Sequence, residues 1–189
     1  MEKNIKTAFK KHNEALGLLE EQSSTITKIA SLFIKSLEAG GKIIFIGNGG
    51  SAADAQHLAA ELIGRFMKNR KALAAIALTT DTSILTAVAN DFGFDQIFSR
   101  QVEGLAKKED LLIVISTSGK SKNIIKAIEK AKTIGLKSVG FLGKDGGDVK
   151  GLVNIDLTIS LDSTQSIQEM HILAGHIICG IVEDYFGQN

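Results

Sequence analysis

Two stretches of this sequence gather the side chain types that move protons or hold metal ions. In AADAQHLAAELIGRF, His57 and Glu61 are four residues apart, so on a helix they stack on one face, with Arg65 one turn further along. A histidine and a carboxylate so placed can share a divalent cation; the same spacing also suits a solvated polar stripe on an amphipathic helix. Near the C-terminus, Gln168, Glu169, His171 and His176 interrupt an otherwise apolar run containing Ile167, Met170, Ile172, Leu173, Ile177 and Ile178. Two histidines on so apolar a helix are unusual, although one alone is more often a satisfied core residue. Gln168 and His176 are about 12 Å apart along a straight helix. Both reach one small ligand only if Gln168 leans in from the helix start, or if different subunits contribute.

Two other segments have the composition of ligand-binding turns. The run from Ser116 to Ser121, STSGKS, follows LLIVI directly and precedes a helix with apolar positions at Ile124, Ile125, Ile128 and Ala131. Hydroxyls of Ser116, Thr117, Ser118 and Ser121, with the free N–H groups of the helix start, would surround a phosphate at the positive end of the helix dipole. A capped polar turn accounts for one or two of those hydroxyls, not four. Gly119-Lys120-Ser121 matches the end of a nucleotide-binding P-loop, but the upstream glycine of that motif is missing. The second segment, GNGGSA from Gly47 to Ala52, comes close to a dinucleotide fingerprint. That fingerprint wants an acidic residue about 20 positions on, whereas the next strand ends near Asp81, about 30 on. Asn48 and Ser51 also put side chains where a pyrophosphate needs bare backbone, so the loop reads as a grip for the hydroxyls of a small polar substrate.

These residues need a scaffold, and apolar periodicity supplies one. Ile5, Phe9, Leu16 and Leu19, then Ile26, Ile29, Ala30, Phe33, Ile34 and Leu37, predict helices over 2–21 and 23–39, a helical hairpin ahead of the sheet. Short buried strands are expected at 42–46, 74–78, 111–115, 138–142 and 155–159, with helices near 51–65, 82–90, 96–106, 119–134 and 165–186. Such alternation predicts a parallel, doubly wound α/β sheet with its sites at the carboxyl ends of the strands. A chain of 189 residues fits one domain, 1–189, with the helices in 1–39 and the sheet with its flanking helices in 40–189.

With 23% charged residues and a formal net charge of +1, the chain has no general attraction to nucleic acid or to an anionic membrane surface. Its one cysteine, Cys179, sits in an apolar helical run and reads as packing. The charged, periodic N-terminus and the absence of any apolar run near 18 residues argue against export and membrane insertion, so a cytoplasmic protein is expected.

As a set, GNGGSAADAQHLAAELIGRF, LTTDTSILTAVANDFGFDQIFSRQVE, ISTSGKSKN, FLGKDGG and IQEMHILAGHI resemble the sedoheptulose 7-phosphate isomerases of the sugar isomerase (SIS) fold. The resemblance holds in order and spacing over roughly residues 40 to 186. It implies a three-layer α/β sandwich around a parallel sheet and a homotetramer with active sites built between subunits. It also implies formation of D-glycero-D-manno-heptose 7-phosphate for bacterial surface heptose. Carried over position by position, it places metal ligands, usually for one zinc ion per subunit, at His57, Glu61, Gln168 and His176, although glutamine is an uncommon zinc ligand. It places the phosphate grip on Ser116, Thr117, Ser118 and Ser121, and sugar contacts on Asn48, Gly49, Gly50, Asn90 and Asp91, with Glu61 and Gln168 also facing substrate.

Aldose–ketose isomerisation moves a proton between C1 and C2 through an ene-diol, which needs a base, an acid and a means of polarising the carbonyl. Glu61 is expected as the base, bound only loosely to the metal, and His176 as the acid, with zinc polarising the carbonyl. The same family contains non-catalytic tetrameric scaffolds that bind the replication initiator. Those relatives lack the glutamate and the second histidine that this chain keeps. Lys71, Ala74, Lys120, Ser160 and Ser166 depart from the common pattern, none of them at a proposed ligand.

Overall fold

The computed structural model describes residues 1–187. Five strands, β1 (Ile43–Gly47), β2 (Ala75–Ala77), β3 (Leu111–Ser116), β4 (Lys137–Gly143) and β5 (Ile155–Ile159), pair in parallel in the order β2-β1-β3-β4-β5. Both faces of the sheet are covered, which is why the central strands read as unbroken apolar runs rather than as alternating ones. Successive residues serve opposite layers. Ile43 and Phe45 of β1, with Leu111, Ile113 and Ile115 of β3, join one core. Ile44, Ile46, Leu112 and Val114 join the other.

The first layer holds α1 (Glu2–Glu20), α2 (Ser23–Glu38), α3 (Gly50–Ile63) and α7 (Thr164–Phe186). The second holds α4 (Thr82–Phe92), α5 (Ser99–Leu105) and α6 (Lys122–Ile134). The result is the three-layer sandwich expected, opened by two helices in hairpin-like succession; both α1 and α2 pack against α7.

Three of the boundaries that differ from the sequence reading have a visible cause. α3 stops at Ile63, not Arg65, because the Arg70 guanidinium takes the carbonyls of Glu61 and Leu62 and the chain turns at Gly64. The helix expected over 96–106 is a 3-10 turn at Phe94–Gln96 followed by α5, with the Ser99 hydroxyl donating to the Gln96 carbonyl at the break. α6 begins at Lys122 rather than 119 because Gly119 has φ +62, a value no right-handed helix admits.

Candidate active site

The direction of strand crossover reverses between β1 and β3, which leaves a crevice beyond the carboxyl ends of those two strands. GNGGS follows β1 and STSGKS follows β3, so both candidate loops border it. A reciprocal amide pair latches them: Asn48 Nδ2 donates to Asn123 Oδ1 at 3.0 Å, and Asn123 Nδ2 donates to Asn48 Oδ1 at 2.8 Å. Most of the Asn48 amide is therefore committed to holding the loops together. Gly49 opens α3 at φ +56, a conformation that favours glycine, and lies exposed with Gly50 at the mouth of the crevice.

The loop after β3 is braced from behind. A β-carbon on Gly119 would sit 2.0 Å from the Gly146 carbonyl oxygen, so the turn at Lys144–Gly147 presses backbone to backbone against it. Within the loop, the Gly119 N–H donates to Ser116 Oγ at 3.1 Å and the Lys120 N–H donates to Ser118 Oγ at 3.3 Å. Ser121 occupies the N-cap position of α6 yet makes no side-chain cap bond, which leaves its hydroxyl available beside the first N–H groups of the helix. A cavity of about 570 Å³ adjoins, lined by Ser118, Lys120, Lys144, Asp145, Ser160 and Asp162 among others.

Across α3 and α7, three of the expected ligands converge. His57 Nε2 lies 2.8 Å from His176 Nε2 and 3.2 Å from Glu61 Oε1. One donor atom from each of the three residues falls within 4.8 Å of the others. Two imidazoles and a carboxylate converging in this way are a donor set that suits zinc. The cluster is open: the His57 side chain is 48% exposed and that of Glu61 20%.

Gln168 belongs to the other end of this wall. Its Nε2 donates to Asp54 Oδ2 at 3.1 Å, and a β-carbon on Gly50 would meet the Gln168 amide at 2.5 Å, so the amide lies directly over the GNGGS loop. Burial pushes the Asp54 carboxyl up, and the Gln168 hydrogen bond and nearby His57 counter part of that rise.

Asn90 and Asp91 hydrogen-bond to each other at 2.8 Å on α4, and no hydrogen bond or ion pair among the described residues joins them to the crevice. α4 buries none of its residues. Arg65 reaches Asn69 rather than the His57 face. Sequence reasoning missed Asp54, Asn123, Phe66 and Arg70, each of which holds a site residue or its backbone, and Glu183, which holds the backbone of Phe66 and pairs with Arg70. Their partners are far off along the chain, and the local signal is limited to polar residues at positions where helical periodicity asks for apolar ones, as at Asn123 and Glu183.

The SIS domain family model matches residues 9–143. The chain is 52% identical over 183 residues to a phosphoheptose isomerase of Helicobacter pylori, covering 96% of this chain and 95% of that one. It is 49% identical over 182 residues to phosphoheptose isomerase 1 of Campylobacter jejuni, covering 96% and 98%. This chain belongs to the phosphoheptose isomerase family. Its fold superposes on the phosphoheptose isomerase GmhA of Neisseria gonorrhoeae with a TM-score of 0.91 at 40% identity, over 97% of this chain and 98% of that one. With the phosphoheptose isomerase of Francisella tularensis the TM-score is 0.93 at 36% identity, over 96% and 97%.

Proposed function

We propose that this protein interconverts sedoheptulose 7-phosphate and D-glycero-D-manno-heptose 7-phosphate, supplying heptose for bacterial surface glycans. The observation that carries the reading is the convergence of Glu61, His57 and His176 across α3 and α7, with α3 opening directly from the GNGGS loop. A non-catalytic scaffold has no need of a converged acid–base pair.

In this reading Ser116, Thr117, Ser118 and Ser121 hold the phosphate at the start of α6, which places C1 and C2 at the far end of the crevice. Asn48, Gly49, Gly50, Asn90, Asp91 and Gln168 contact the sugar. Glu61 takes a proton from C1 of the ketose and returns it to C2, while His176 protonates the C2 oxygen and relieves the C1 oxygen of its proton. His57, Glu61 and His176, with Gln168 as a fourth donor, would hold one zinc ion per subunit. When bound, that ion polarises the sugar carbonyl as a Lewis acid. Because Asn90 and Asp91 stand on an unburied helix apart from the crevice, we assign the complete site to a homotetramer in which neighbouring subunits share residues. A free buried thiol, Cys179, and a phosphorylated substrate fit a cytoplasmic setting. Among the described residues no helix is long and apolar enough to cross a membrane.

The test is NMR of the sugar after purified protein meets sedoheptulose 7-phosphate with zinc present: the aldoheptose phosphate should form. Glu61→Gln should fold and bind but turn over about 10²–10⁴ times more slowly, the usual loss with a general base. A parent protein inert toward every ketose phosphate would leave the scaffold reading in its place.

A further inference from the structure

We propose that Glu183, Arg70 and Phe66 act as a positioning unit that fixes the His176 imidazole and the last turn of α3 for proton transfer. The inference rests on the reading of Glu61 and His176 as the acid–base pair. Glu183 lies on α7, and its side chain and that of Arg70 are each 2% exposed. Its carboxylate accepts three consecutive backbone N–H groups, those of Phe66 at 2.9 Å, Met67 at 2.7 Å and Lys68 at 2.8 Å. Arg70 Nε sits 3.3 Å from Glu183 Oε1, too poorly aligned to be a hydrogen bond there, and the rest of its guanidinium donates to the carbonyls of Glu61 at 2.7 Å and Leu62 at 2.8 Å. One buried ion pair thus ties together the end of α3, which bears Glu61, the loop after it, and α7, which bears His176.

A knot of this kind would serve stability alone were it not for what it holds in place. Phe66, anchored through its own N–H, stacks its ring on the His176 imidazole, with centroids 5.5 Å apart and planes at 28°. The ring lies over Gly180, whose missing β-carbon would come within 3.6 Å of it. A histidine that binds a metal or transfers protons is ordinarily oriented by a hydrogen bond to its second ring nitrogen. Among the described residues His176 has one hydrogen-bond partner, His57, and that bond uses Nε2. The face of Phe66 takes over the orienting role that a second hydrogen bond would otherwise fill, and Glu183 keeps Phe66 there.

The experiment compares kcat and KM on sedoheptulose 7-phosphate for Phe66→Ala, Phe66→Tyr and Glu183→Gln, with Glu61→Gln alongside. Misplacing a proton-transfer group should lower kcat in Phe66→Ala by about tenfold or more, while KM moves less than about threefold because the phosphate anchor is untouched. Phe66→Tyr, which keeps the ring, should restore kcat; Glu183→Gln should behave as Phe66→Ala does. Should Glu183→Gln fail to fold, the Phe66 pair decides. Parental kcat in Phe66→Ala beside an inactive Glu61→Gln overturns the positioning role, and so does a rise in KM alone. Parental turnover in Glu61→Gln removes the acid–base reading itself, so the two failures are told apart.

Discussion

At the level of single residues, a hydroxyl that caps nothing at a helix start is what a site for an anion would need. Ser121 is in that state, and Ser118 gives its oxygen only a long 3.3 Å bond to accept. Hydrogen bonds to a charged group contribute about 1.5–3 kcal/mol each. Ser118→Ala with Ser121→Ala is therefore expected to raise KM at least tenfold, by roughly that estimate, with the fold intact. Unchanged kcat and KM in the double variant would reduce the loop to a turn. Such residues were legible in the sequence because four hydroxyls cluster within six positions, and His57 with Glu61 because four-residue spacing marks a helix face. Asp54 and Asn123 were not, since their partners Gln168 and Asn48 lie 114 and 75 residues away and no local pattern announces a distant hydrogen bond.

Among the elements, α7 carries the most conflicting demands. It packs Ile167, Met170, Ala174, Ile178 and Val182 into the core, and on the same side it buries His171, whose Nε2 donates to the Leu142 carbonyl at the end of β4. Burial holds that imidazole neutral and pushes its pKa down to about 4, against the pull of the Leu142 hydrogen bond. The unfolded chain, with an ordinary histidine near 6.5, therefore binds the proton first. Between pH 6.5 and about 4 the unfolded state gains protons that the fold refuses, and stability falls as pH drops, by up to about 3 kcal/mol for this one group. Urea midpoints measured from pH 7 to 4.5 should show that slope, and His171→Leu should flatten it relative to the parent. An equal slope in both proteins would assign the acid sensitivity to carboxylates instead.

The elements themselves were the most legible level. The strand at 155–159 was read to the residue, and the others to within a residue or two, because both faces of the sheet are covered and the strands announce themselves as apolar runs. Errors gathered where a side-chain hydrogen bond or a backbone kink bounds a helix: Arg70 at the end of α3 and Ser99 between Gln96 and α5 by hydrogen bonds, Gly119 before α6 by its positive φ.

For the molecule as a whole, the single chain leaves its chemistry uncovered. The His57, Glu61 and His176 cluster faces outward, with Ile63, Met67, Ile177 and Ile181 exposed on the same two helices and the segment following α3. Closed symmetric assembly is the usual way to cover such a surface, and light scattering is expected to give a tetramer. Exhaustive chelation should lower activity, and added zinc should restore it in step with the metal bound; full activity in metal-free protein would take zinc out of the reaction.

The unburied α4 adds a genetic consequence. If Asp91 from one subunit completes the crevice of another that supplies Glu61, two separately inactive variants, Glu61→Gln and Asp91→Asn, carry complementary lesions. Unfolded together and reassembled, they should regain activity that neither has alone, since random mixing makes roughly a quarter of the crevices wholly native. Failure to complement, from mixed tetramers shown to have formed, would place both residues in the crevice of a single subunit.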